Sequence, residues 1–230
     1  MELGEFIIRN KINVSDQAIR LCETAIDIIR RSRLPLYDER HVFAVFDNLD
    51  RFLNEGNQVK KNEIDFDVLL LAICWHDIWK SKKFPLHLSQ WLPFYFFEGI
   101  GSMRIFKRAA RAVGFEEKTT KAVTYAIRKH PGFQILPLKT LEAKILKDMD
   151  GLEEWSLARL KPLKEDYLFL GVMDLRPLRL IKFYFEHFMV NDRPSAFSFN
   201  WSRAEFKVRK KLFLGETRQV VAEFTKLLKK

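Results

Sequence analysis

The feature that most limits the fold is an apolar stretch with two ionisable residues at its end. From Val68 the chain reads VLLLAICW, and His76 and Asp77 follow at once. A helix that is apolar all round belongs at the centre of a packed domain. The stretch is far short of the roughly 20 apolar residues that span a bilayer. Burying an imidazole and a carboxylate at its end is costly unless something satisfies them. A divalent cation would do so, because both groups are good ligands for one.

The rest of the chain supplies a helical frame for that segment. No stretch alternates with period two, and nine glycines in 230 residues is a low share. Ser15 and Asp16 cap an apolar series from Ile19 to Ile29, ending before Pro35. Asp38 and Glu39 open a second helix through Val42, Val45, Phe46, Leu49 and Phe52, closed by Gly56. Asp65 or Asp67 caps the apolar third. Further helices are expected at about 98–113, 116–129 and 138–159, with breaks at Gly114 and Pro131-Gly132. After Pro162 the chain reads as helical to about Val190, interrupted near Pro177. NDRPSAFSFNW reads as a loop, and a basic helix runs from Ser202 or Arg203 to the end. FPLHLSQWLPFYFF, residues 84–97, reads as an irregular connection or a short covering helix. The expected fold is all-α, with one domain over 1–160 and a C-terminal helical extension over 161–230 packed on it.

Composition excludes several classes. Apolar residues make up 47% of the chain, and 21 Phe, 5 Tyr and 5 Trp promise a well-filled interior, which rules out disorder. Two cysteines, Cys22 and Cys74, are too few for a disulfide framework or a thiolate cluster. MELGEFIIRNK is acidic where a signal peptide would be basic and apolar. A cytoplasmic protein with no membrane segment is the expectation.

His41, at the start of the second helix, and Asp148 or Asp150, within KILKDMDGLEEW, are the other candidate ligands. Ile145, Leu146, Met149 and Leu152 define the buried face of that helix, and both aspartates lie near its edge. Helical geometry does not choose between them. His87 and His187 sit among aromatics and read as core or surface residues, and Cys74 reads as core packing.

The ordered set His41, then His76-Asp77 after 35 residues, then a distant aspartate resembles the HD superfamily of metal-dependent phosphohydrolases. LLLAICWHDIWK is similar to that family's apolar helix ending in His-Asp. The stretch from Phe97 to His130, beginning FEGIGSMRIFK, resembles the part where a Glu and a Gly-Ser precede two helices ending in histidine. KILKDMDGLEE resembles the last motif and implies Asp150 as the ligand. The resemblance covers about residues 20–160. It implies an HD-type helical bundle holding one divalent metal ion (Mn, Co, Ni, Mg, Fe or Zn) on His41, His76, Asp77 and Asp150. It implies hydrolysis of a nucleotide or other small phosphoester. Asp77, Lys80 and His130 would be catalytic, and Lys80, Trp79, Arg128 and Lys129 would contact substrate. Trp79 replaces the usual glycine and puts a large ring beside the site, to narrow the pocket or stack on a base. Phe97 stands near where two-metal members carry a further histidine, which favours one metal.

Two other functions compete: a degenerate module that senses nucleotides or binds RNA, and a phosphodiesterase acting on nucleic acid. Both draw on the basic surplus. Net charge is +10, and from Trp201 to Lys230 nine Lys or Arg against three Glu contribute six of the ten. Such a helix suits nucleic-acid phosphates, although its Phe, Leu and Val pattern equally suits packing on a core. The aromatic stretch Trp91–Phe97 reads as core or as an interface between copies of the chain, a homo-oligomer.

Overall fold

The computed structural model describes residues 1–32, 37–82, 96–131, 137–160, 183 and 194–227. Among these residues there are nine α-helices and no strand: α1 (Leu3–Asn10), α2 (Asp16–Arg30), α3 (Glu39–Glu55), α4 (Phe66–Trp75), α5 (Ile78–Lys82), α6 (Glu98–Ala112), α7 (Glu117–Lys129), α8 (Leu141–Glu154) and α9 (Asn200–Leu227). No described helix is long and apolar enough to cross a membrane. Most of the expected irregular segment 84–97, with His87 and Trp91, lies outside the described residues. So do Gly132, the helical region after Pro162 with Pro177 and His187, the expected domain boundary at 161, and residues 228–230.

α4 is the axle of the fold. Every residue from Val68 to Trp75 is buried, and α2, α3, α6, α7 and α8 pack around it. Its start follows from capping: the Asp65 side chain accepts the Val68 N–H, so Asp65 and not Asp67 is the N-cap. Asp67 instead reaches across to α2, where it accepts both the N–H and the O–H of Ser15, at 2.8 and 2.6 Å. Ser15 in turn caps α2 by accepting from Ala18. At the far end of α4 the Trp75 indole meets the edge of Phe106 and donates to the Leu21 carbonyl, so its polar atom is satisfied in the core.

Three boundaries depart from the sequence expectation. α1 was not anticipated; at eight residues its pattern is short, yet Leu3, Phe6 and Asn10 bury one face and Phe6 stacks on Phe46. α8 stops at Glu154 and not at Arg159, because Trp155 leaves helical geometry to pack edge-on against Phe206 and Phe213 of α9. The Leu152 carbonyl at this end accepts both the Trp155 N–H and the Arg209 guanidinium. α9 begins at Asn200, two residues early, because partners elsewhere satisfy the amides around its start. Gln58 accepts from Trp201, and Asp148 accepts from Ser198 and Phe199.

Asp148 is therefore a structural anchor. It is buried on α8, burial pushes its carboxyl up, and the Ser198 and Phe199 amides pull the other way. Asp148→Ala should leave two amides without a charged acceptor and cost about 2 kcal/mol. Urea unfolding would measure the loss. Divalent-metal affinity, measured by competition with a chromophoric chelator, should stay unchanged.

Candidate metal centre

α4 delivers His76 to the middle of the bundle, completely buried, and the helix end sets its tautomer. His76 Nδ1 lies 2.7 Å from the Ile73 carbonyl. A carbonyl can only accept, so Nδ1 carries the hydrogen and Nε2 presents a lone pair. His130, at the end of α7, repeats the arrangement on the Ile127 carbonyl at 2.6 Å. His41, in the first turn of α3, turns Nδ1 to the Glu153 carboxylate at 2.9 Å. All three rings thus hold a hydrogen on Nδ1 and turn Nε2 towards the acidic groups.

The Nε2 atoms of His41 and His76 are 3.0 Å apart. Asp150 Oδ1 lies 3.5 and 3.4 Å from them, and Asp77 Oδ2 lies 3.6 and 3.7 Å from the same pair. Donors bonded to one metal at about 2.1 Å stand about 3.0 Å apart in an octahedron and about 3.4 Å apart in a tetrahedron. The spacing of His41, His76 and Asp150 fits one metal, and these three form one donor group, with Asp77 approaching its two histidines from the side. Charge points the same way: among the described residues, Asp77, Asp150, Glu98 and Glu153 pair with two permanent cations, Lys80 and Arg159, which leaves two negative charges in excess with the histidines neutral. A dication would balance them. His130 Nε2 approaches the other oxygen of Asp77 at 3.6 Å, so His76, Asp77 and His130 form a second donor group sharing His76 with the first.

Lys80 is buried one turn beyond Asp77. Its ammonium lies 3.0 Å from Asp77 Oδ1 and 2.8 Å from Glu98 Oε2, and 4.5 Å above the Tyr37 ring. Burial alone would lower its pKa; Asp77 and Glu98 outweigh burial and hold it well above the usual lysine range. Asp77 shows the converse, with burial raising its pKa and Lys80 and His76 driving it well below the ordinary carboxylate value.

The other expected contacts divide. Trp79 lies against α6, where its backbone N–H donates to Ser102 Oγ at 3.1 Å. A Cβ at Gly101 would come within 2.4 Å of the indole, so the Gly101-Ser102 pair forms the seat for that ring. Lys129 is buried, whereas Arg128 is exposed. Asp150 joins the cluster and Asp148 points to the 198–199 amides. Sequence reasoning missed Tyr37, Glu98, Glu153 and Arg159 as members of the cluster. A signal existed for Glu153: it follows Leu146 and Asp150 at helical spacing, a charge on a buried face. Arg159 lies beyond the end of α8, where periodicity carries no information.

Without a metal, a proton must do part of the metal's work. Burial lowers the His76 pKa, but Asp77 and Asp150 more than offset it and raise the value to about 9. A raised histidine stabilises the fold fully below its unfolded value of about 6.5, and that stabilisation is lost as pH rises through about 9. Chelator-treated protein should therefore lose roughly 3 kcal/mol between pH 6 and 9.5 in urea unfolding. Zn²⁺ should abolish the loss, because metal binding replaces the proton. Comparison of the chain with models of protein families, with curated proteins and with solved structures finds no match.

Proposed function

We propose that the protein is a metal-dependent phosphohydrolase acting on a small phosphoester, with a nucleotide as the leading substrate class. The observation that supports this reading is the approach of His41, His76 and Asp150 to within 3.0–3.5 Å of one another, with Asp77 3.6 and 3.7 Å from the two histidines, inside a helical bundle and beside a buried lysine. A divalent ion on those four residues would supply Lewis-acid polarisation and a nucleophile at neutral pH. The chain's own groups supply the rest. Lys80 is a fixed cation next to Asp77, placed to meet phosphoryl oxygens as negative charge grows. Asp77 and Glu98 hold it from two sides, so its orientation is set before any substrate arrives. His130 has its Nδ1 hydrogen committed to Ile127, which leaves Nε2 to take up a proton and pass it on. Lys129 precedes it as a second cation, and Arg128 on the exposed side of α7 is available to a larger substrate. The Trp79 indole, seated on Gly101, would be the stacking surface for a base if its ring borders the substrate.

The fold resembles what the sequence motifs imply for the HD superfamily only in being all-α, so the motif residues and their geometry carry the assignment together. A basic α9 also suits nucleic acid: Lys207, Lys211 and Arg218 are exposed on it. A nucleic-acid phosphodiesterase would then show steep salt dependence.

The purified protein should contain about one divalent metal ion and should turn over members of a phosphoester panel with Mn²⁺, Co²⁺, Ni²⁺ or Mg²⁺. Asp77→Ala should abolish both metal binding and turnover. Metal analysis that finds none, or an Asp77→Ala protein with full activity, would sink the assignment. Metal binding without turnover of any phosphoester would favour the nucleotide-sensing module.

A further inference from the structure

We propose that Glu153, held in place by Arg159, is the positioning residue that makes His41 a metal ligand. The proposal rests on the metal-centre reading above and extends it to two residues outside the donor set.

Helix geometry explains why His41 needs such a partner. His76 and His130 lie at helix C-termini, where backbone carbonyls lack helical partners, and each takes the carbonyl three residues upstream. His41 lies in the first turn of α3. The unsatisfied groups at a helix N-terminus are N–H donors, which cannot accept a ring hydrogen. The acceptor must come from another element, and α8 brings Glu153 Oε2 to 2.9 Å from His41 Nδ1. A carboxylate there fixes the hydrogen on Nδ1 and turns the lone pair of Nε2 towards His76 and Asp150.

Arg159 makes the choice of partner consequential. Its guanidinium contacts the Glu153 carboxylate directly, and the same nitrogen lies 3.3 Å from His41 Nδ1. A guanidinium can only donate. If Arg159 alone faced Nδ1, the neutral ring would carry its hydrogen on Nε2, pointing into the donor cluster and blocking ligation. Glu153 engages the arginine and claims the ring nitrogen. Tyr37 closes the arrangement, with the Arg159 guanidinium 5.7 Å from the centre of its ring.

The test is Zn²⁺ affinity of the full chain, measured by competition with a chromophoric chelator, with thermal unfolding of each variant as a check on folding. Glu153→Ala should weaken Zn²⁺ binding about 10- to 100-fold, the range for losing an outer partner of a ligand histidine. Glu153→Gln keeps an acceptor oxygen and should lose less; it also serves if the alanine variant fails to fold. The double variant Glu153→Ala with Arg159→Met should bind more tightly than Glu153→Ala alone, because nothing then donates to Nδ1. A residue that merely fills space would give the opposite order. If the parent protein binds Zn²⁺ while Glu153→Ala and Glu153→Gln both stay within about twofold of it, or if the double variant is the weakest, the positioning role is wrong and the metal centre stands. If the parent does not bind Zn²⁺, the metal-centre reading fails and this inference falls with it.

Discussion

Burying His76 and Asp77 at the end of α4 is the constraint on which the rest of the structure depends. A helix with no exposed face between Val68 and Trp75 has to be enclosed on every side. The same enclosure denies water to the two residues that follow. The fold answers with partners drawn from several neighbouring elements. α3 contributes His41 and α8 contributes Asp150 and Glu153. Tyr37 precedes α3, and Glu98 opens α6. Apolar packing and the polar centre are therefore one arrangement: most of the helices that cover α4, namely α3, α6, α7 and α8, also deliver groups to its end.

Helix termini do much of the placing. Two of the three histidines lie at C-terminal ends and the third lies in a first turn, so the backbone decides which ring nitrogens it can hold. Where it offers a carbonyl, no further residue is required. Where it offers only N–H groups, a carboxylate is imported, and that carboxylate brings a buried arginine to balance it. One local feature of helix geometry thus propagates into two additional buried charges.

The legibility of this arrangement in the sequence was uneven for physical reasons. Periodicity and capping located most of the helices, because an apolar face and a side-chain cap are local properties. α4 was conspicuous, since nothing but burial suits such a run. The choice between Asp148 and Asp150 was not local. Both sit at the edge of the same face, and only the return of residues 197–199 to α8 gives Asp148 its amide partners. The sequence resemblance favoured Asp150, and the geometry brings Asp150 to the histidines. Tyr37, Glu98 and Arg159 could not be placed from spacing, because each reaches the cluster through a turn or a helix end whose direction depends on tertiary packing. Glu153 was available to a stricter rule, that any carboxylate in register with a buried face requires a partner.

Charge separates in the same way. The chain is basic overall, and six of its ten surplus positive charges lie in the last thirty residues. Among the described residues the inner cluster has the opposite sign, with four carboxylates around two cations. Net charge therefore describes the outside of this molecule and misdescribes its centre. A cationic exterior raises the local concentration of phosphate-bearing molecules, while an acidic interior favours a divalent cation. Because exposed charges are screened within about 10 Å at ordinary ionic strength and buried ones much less, added salt acts on the first effect and spares the second. The two charge sets are thus separate, the basic one exposed along α9 and the acidic one enclosed around the end of α4, and salt distinguishes them.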